Sequence, residues 1–430
     1  MYWMKRRGIG ARYGFRVALV MAAAGPSLTS AGDWAQWRGP KRDGHVATGE
    51  HFPDALPATP KVVWQRTVGG GFSSPVVKEG KLVYLDATNE KEVAHLIDAK
   101  TGKEVWHAEY AEAFGDEWGT GPRSTPIIDE DRVYAQSCDG EFRCLALADG
   151  QTIWRTSFEK DFGVHFIGNK AVGNEGVASR RGNNGTGVID GDRLYLPVGG
   201  THGNSLVCFE KKTGKVIWKS QDDEAAYSAL MAVTLAGARQ IVYFAADSVM
   251  GVEASSGKLL WRVPLRTNAK RHAATPVIFG DSVIVNSHTF GLLCLNIKKA
   301  DGGFAAEQRW VNRQLKINIA TPVLVDHWLY SQGAGNELVC IEALTGKVAW
   351  SQDGFGERYS AVLTDGSKLM VVTDRGELIL AAADPEKFKL LGRVQVCGKT
   401  WQHPAWVDGK LYVREGLTAG WKLSCFDFGS

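Results

Sequence analysis

The sequence predicts an all-β protein, an eight-bladed β-propeller with four-stranded antiparallel blades whose ring is closed by an N-terminal outer strand. A glycine stands four residues before a tryptophan in five places: Gly102/Trp106, Gly150/Trp154, Gly214/Trp218, Gly257/Trp261 and Gly346/Trp350. With Trp64 and Trp310 added, seven tryptophans recur at intervals of 42, 48, 64, 43, 49 and 40 residues, the length of one four-stranded blade. Lys61-Val62-Val63-Trp64 reads as an outer strand with no blade before it, and the last set of strands ends at Phe428 without one of its own. Pairing the two closes the ring and removes the free edges between first and last blade.

The elements follow in chain order. Residues 1–31 hold Lys5, Arg6, Arg7, Arg12 and Arg16 with no acidic residue, then a short apolar run Val17–Gly25 and the small residues Thr29, Ser30 and Ala31. That order predicts a signal peptide cleaved near Ala31, and a periplasmic or secreted protein. The run is too short to span a bilayer, and no cysteine precedes Cys138, so neither a membrane span nor a lipid anchor is expected. Residues 32–59 are then an N-terminal arm and 60–430 the propeller. Without the leader, 45 basic residues face 47 acidic ones, so no basic field remains to attract nucleic acid or anionic lipid. A monomer is expected.

Within each period four short β patterns repeat. An inner strand follows Ser-Pro or Thr-Pro, as at Ser74-Pro75, Thr125-Pro126, Thr275-Pro276 and Thr321-Pro322, where proline's missing N–H costs no ladder bond. Eight inner strands start near Ser74, Thr125, Gly185, Ser228, Thr275, Thr321, Ser360 and His403. A second strand ending in an aromatic comes next, such as Leu82-Val83-Tyr84 or Leu329-Tyr330, then an apolar third strand. A Thr-Gly-Lys turn, where glycine supplies positive φ, leads into the outer strand with its Trp, and Leu391 continues the Trp series 41 residues after Trp350. Cys144, Cys208, Cys294, Cys340 and Cys425 occupy one equivalent place in five third strands. Blade-to-blade separation puts them beyond disulfide reach, so they are expected as buried thiols, with Cys138 and Cys397 also unpaired.

Strand direction alternates, so outer-to-inner and second-to-third links emerge on one face and the Thr-Gly turns on the other. The long connections, 107–122, 155–184, 262–271, 311–318 and 397–402, all belong to the first face, which is therefore the expected functional face. The residues entering the inner strands there form a ring around the channel: Phe72, Arg123, Asn183, Asn184, Tyr227, His272, Asn318, Arg358, Tyr359, Trp401 and His403. Such a ring suits a protein partner or a small anionic or aromatic ligand, through charge-assisted hydrogen bonds and stacking, or else holds water and braces the blades. The connection 155–184, with His165, Lys170, Arg180 and Arg181, reads either as a lid or as a solvated insertion. No haem, P-loop, nucleophile-elbow or zinc spacing is present, no metal site is expected, and catalytic residues are not identifiable.

The blade endings Asp98–Trp106 and Glu342–Trp350, each an acidic residue followed by Thr-Gly-Lys and Trp, resemble the tryptophan-docking repeat of the quinoprotein alcohol dehydrogenases and of the outer-membrane assembly propeller BamB. The stretch Trp34–Gly44, Trp-Ala-Gln-Trp-Arg-Gly-Pro-Lys-Arg-Asp-Gly, resembles the opening of PQQ-like propeller proteins common in planctomycetes. The resemblance implies the fold strongly and the activity weakly. For the dehydrogenases it implies PQQ and Ca²⁺ in the channel, yet this chain has no adjacent cysteine pair of the kind that covers their quinone. The leading expectation is a non-catalytic binding or scaffold module without a cofactor. The alternative is a PQQ- and Ca²⁺-dependent dehydrogenase, in which a loop carboxylate such as Glu117 or Glu175 reaches inward.

Overall fold

The computed structural model describes residues 1–2, 32–164, 181–267, 270–417 and 419–429. The proposed signal segment past Tyr2 lies outside them, as do His165, Lys170, Glu175 and Arg180 of the long connection.

Eight four-stranded antiparallel sheets form the blades. From inner to outer strand, blade 1 runs from Val76–Lys78 to Glu104–Glu112, blade 2 from Ile127–Asp129 to Thr152–Ser157, and blade 3 from Val188–Asp190 to Val216–Ser220. Blade 4 runs from Met231–Leu235 to Leu259–Pro264, blade 5 from Val277–Phe279 to Gly303–Asn312, blade 6 from Val323–Val325 to Val348–Asp353, and blade 7 from Ser360–Thr364 to Leu390–Gln395. Blade 8 takes Ala405–Val407, Lys410–Glu415 and Lys422–Asp427 from the C-terminal end and Lys61–Thr67 as its outer strand. The closing pair is registered from Lys61 opposite Asp427 to Thr67 opposite Lys422, as the orphan strand predicted. Apolar layers between adjacent blades make the core, for example Leu96, Trp106 and Leu145 between blades 1 and 2.

The Gly/Trp repeat has a direct physical cause. Gly102, Gly150, Gly214, Gly257 and Gly346 all have φ between 70° and 74°, and each lies under the indole of the preceding blade's Trp. A Cβ at these glycines would stand 2.4–2.7 Å from that ring, so both the turn and the close approach exclude a side chain. The indole N–H then donates to a carbonyl beside the turn, from Trp64 to Ala99 at 2.9 Å, Trp106 to Leu147 at 3.0 Å and Trp154 to Lys211 at 2.9 Å. Where blade 5 has the turn Asp301-Gly302-Gly303 in place of Thr-Gly-Lys, Trp261 instead bonds Gln240 of its own blade, at 2.7 Å.

Each outer strand carries a β-bulge that skips the residue before the Trp, leaving Val105 and Ile153 exposed. This register corrects the Trp series at its end. Gly392, not Leu391, pairs with Leu380 at the Trp position, and Leu391 is the skipped residue. An indole has nothing to dock on there, because the third and outer strands of blade 8, Lys422–Asp427 and Lys61–Thr67, are not consecutive in the chain and no turn joins them. Leu56 of the arm fills the space instead, within 3.0 Å of where a Gly392 Cβ would stand.

All seven cysteines are free thiols. Four of the five equivalent ones sit between the blade's Tyr and Trp in register, as Cys144 does between Tyr134 and Trp154, so a small side chain is needed between two aromatics. Burial pushes their thiols up, Cys144 to about 12 and Cys340 to about 11.

The N-terminal arm packs on the blades. Trp34 exchanges backbone hydrogen bonds with Val77 of blade 1 (2.7 and 3.0 Å), Ala35 accepts from Ile128 of blade 2, and Gly44 and Val46 pair with Thr364 of blade 7. Phe52 packs edge-on against Trp406 of blade 8. The arm thus crosses the channel at the short-turn end and covers the open inner edges of blades that have no other backbone partner there.

Candidate functional site

At the long-loop end the channel opens into a cavity of about 270 Å³, and Trp37 of the arm forms its floor. Trp37 is held by its indole N–H, which donates to Thr275 Oγ1 at 2.9 Å. The plug therefore turns an open channel into a blind cup.

One wall is aromatic. Phe72, entering blade 1, lies 6.2 Å from Trp401, and Trp401 lies 5.5 Å from Trp118, which sits at the tip of the small ribbon Gly115–Asp116 and Gly119–Thr120. The ribbon is organised by one buried carboxylate. Asp116 takes both Arg123 guanidinium nitrogens, with Nη1 to Oδ2 at 2.7 Å, and the Trp118 amide at 2.8 Å. Arg123 in turn lies 5.3 Å over the Phe72 ring.

The rest of the lining is cationic and polar. Arg181, Arg271 and Arg358 reach the cavity beside Asn184, Tyr227 and Asn318. Arg181 is paired with Glu117, whereas among the described residues no carboxylate pairs with Arg271 or Arg358. The Arg358 loop is anchored through its backbone instead: Asp374 accepts the amides of Glu357 and Arg358, both at 2.9 Å, leaving the guanidinium at the mouth. Burial raises the Tyr227 phenol to about 12, so it stays neutral.

Of the ring residues named from sequence, Phe72, Arg123, Asn184, Tyr227, Asn318, Arg358, Tyr359 and Trp401 line this cavity. Asn183, His272 and His403 do not; the fold uses their side chains internally. The Asn183 amide donates to Pro197 O at 2.5 Å, and its carbonyl accepts from the Gly185 amide at 3.2 Å. His272 is fully buried, stacked 4.1 Å from Phe244 with Nδ1 2.8 Å from Ala245 O, and desolvation lowers it to about 4. His403 lies between Trp34 and Trp37, and burial lowers it to about 3. Both imidazoles are neutral near pH 7. Trp37, Trp118 and Arg271 were missed. Arg271, next to His272 at a loop end, and Trp118, in the long connection 107–122, had a local signal; Trp37 reaches the cavity through a long-range contact, its bond to Thr275.

The residues do not fit a Ca²⁺-dependent quinone. Among the described residues no three His, Cys, Asp or Glu side chains are grouped to hold a metal ion. Asp116 and Glu117, on the ribbon beside the cavity, are each engaged by an arginine, and the surrounding guanidinium groups would repel a divalent cation.

A family model described as outer membrane protein assembly factor BamB matches residues 22–173, 139–302 and 296–389, the overlaps following the repeat. An outer membrane protein assembly factor BamB from Shewanella oneidensis is 24% identical, covering 74% of this chain and 88% of that protein. The crystal structure of BamB from Moraxella catarrhalis superposes with a TM-score of 0.58 at 12% identity, over 86% of this chain and 98% of that one. A quinohemoprotein alcohol dehydrogenase from Comamonas testosteroni superposes with a TM-score of 0.50 at 12% identity, over 94% of this chain and 82% of that one. At these identities the structures share the fold.

Proposed function

The chain belongs to the family described as outer membrane protein assembly factor BamB, and from that premise and the long-loop face we propose a non-catalytic scaffold propeller that holds a partner protein in the cell envelope. The observation that carries this reading is the composition of that face. Aromatic and arginine side chains, the types enriched at interface hot spots, cluster around one concave mouth, and among the described residues no group of His, Cys, Asp or Glu that could hold a metal ion lies beside them. A dehydrogenase needs a general base near the reacting carbon and a cation on the quinone carbonyl, and the donor set described above supplies neither. In this reading residues 1–31 direct export to the periplasm or beyond, 32–59 form the plug, and 60–430 act as a monomeric propeller. Among the described residues no helix is long and apolar enough to cross a membrane.

Cross-linking followed by co-purification from envelope extracts tests the proposal. One partner should be retained by the wild type, lost from a Trp118→Ala, Arg358→Ala, Trp401→Ala triple variant, and kept by Lys41→Ala on the opposite face. Retention by the triple variant overturns the assignment of the face. Dye reduction with PQQ, Ca²⁺ and simple alcohols that disappears in Asp116→Asn overturns the non-catalytic reading.

A further inference from the structure

We infer that the blind cup at the long-loop end is itself a ligand site for a small planar aromatic carboxylate. The inference rests on the reading of this face as a binding face and adds a ligand class to it.

Three features of the cup select that chemistry. First, Phe72, Trp118 and Trp401 form one wall and Trp37 the floor, so a flat apolar body is desolvated on more than one side. Second, the two cations without a carboxylate partner among the described residues, Arg271 and Arg358, reach the same cavity. Arg123 and Arg181 there are already matched by Asp116 and Glu117, so the excess positive charge is carried by Arg271 and Arg358. A guanidinium's planar fork matches a carboxylate in two parallel hydrogen bonds. Third, at about 270 Å³, close to the lower end of the roughly 300–1,000 Å³ of small-molecule sites, the cavity has room for a one- or two-ring acid.

The floor is not part of any blade. Trp37 arrives from a segment nearly 240 residues away from the Thr275 that holds it, so the arm builds the site as well as closing the channel. The ligand is held without turnover: Asp116 is bound at both oxygens by Arg123, and His272 and His403 are buried and neutral.

Titrating the full chain with 2-naphthoate while following tryptophan fluorescence, and repeating with the neutral isostere 2-naphthylmethanol, tests this. Saturable quenching by the acid is expected, with affinity about tenfold or more above the alcohol. Arg358→Gln and Arg271→Gln should each weaken the acid by about tenfold and leave the alcohol unchanged. Trp401→Ala should weaken both. Unchanged melting temperatures for the arginine variants separate lost binding from lost folding. Equal affinity for acid and alcohol, no saturation with the acid, or full binding in the Arg271→Gln/Arg358→Gln double variant overturns the inference. If the acid fails to bind while partner retention still needs the triple-variant residues, only the ligand inference falls.

Discussion

At the short-turn end of the channel, Arg38 and Arg42 are 2% and 3% exposed, and their guanidinium groups donate to the carbonyls of Asp43, Pro322 and Thr186 and to Gln36. At the long-loop end, Arg271 is only half-buried and Arg358 is exposed, and neither has a carboxylate partner among the described residues. The residue type is the same and the roles are opposite. Burial pushes Arg42 down to about 9 and Arg38 to about 10, the latter partly offset by Asp43, so both remain charged near neutrality. A buried cation needs hydrogen-bond acceptors, and the terminal nitrogens of the arm's arginines find them on the blades' inner edges, at Pro322 and Thr186, so the two side chains tie those edges together. Arg271 and Arg358 stay hydrated and available to a ligand. The role of an arginine in this ring follows from which carbonyls lie within its reach, and those are set by the path of the arm.

The largest expected effect comes from removing what holds the short-turn end. Deleting residues 32–67 takes away both the plug and the closing strand, and calorimetry should show the melting temperature falling by more than about 10 °C. A change of only a degree or two would mean that blade 8 closes without Lys61–Thr67 and that the arm is ornamental. Next, Arg38→Ala leaves the carbonyls of Asp43 and Pro322 without their donor, at a cost of about 3 kcal/mol in urea unfolding. Arg358→Ala removes no side-chain hydrogen bond or salt bridge to a described residue and should stay within about 0.5 kcal/mol of wild type. Equal costs for the two would erase the distinction between the ends.

A smaller, pH-dependent effect sharpens the comparison with a buried group of the opposite charge type. Glu92 is fully buried in blade 1, accepts the Tyr110 hydroxyl at 2.8 Å, and is raised by desolvation to about 8. Its folded form therefore keeps a proton that the unfolded chain releases near its ordinary value of 4.5. This contribution is full below about pH 4.5 and is lost as the pH rises through about 8. Unfolding curves across that window should show the wild type weakening with pH more steeply than Glu92→Gln. Parallel slopes would show that Glu92 is ionised in the fold. The buried arginines keep their charge through backbone carbonyls, whereas Glu92 meets burial by staying neutral.

The smallest expected effect lies in the outer layer of the blades. Alkylation under denaturing conditions, without reduction, should label all seven cysteines, and under native conditions should leave Cys144, Cys208, Cys294, Cys340 and Cys425 unlabelled. Any disulfide found among them would break the Tyr–Cys–Trp stacking inferred from the strand register.

What the sequence determined by itself was everything that repeats. The blade count, the closing strand, the Gly/Trp docking and the buried cysteines were legible because each recurs at a fixed place in a local hairpin, where turn chemistry and strand alternation act over a few residues. The end at which the aromatic and arginine-lined cavity opens was legible for the same reason, since loop length and strand direction decide where the long connections emerge. The site's membership was not. Asn183, His272 and His403 enter inner strands just as Asn184 and Arg358 do, and nothing local tells which of them turns toward a neighbouring carbonyl or ring. The arm has no repeat to be read against. Its course depends on contacts such as Arg38 to Pro322 and Trp37 to Thr275, which join residues more than 200 positions apart. Leu56 against Gly392 is of the same kind, replacing an indole beside the blade whose outer strand comes from a distant part of the chain. Such pairings exist only once the ring has formed around them, so the tertiary structure alone decided where the cup has its floor and which arginines are left for a ligand.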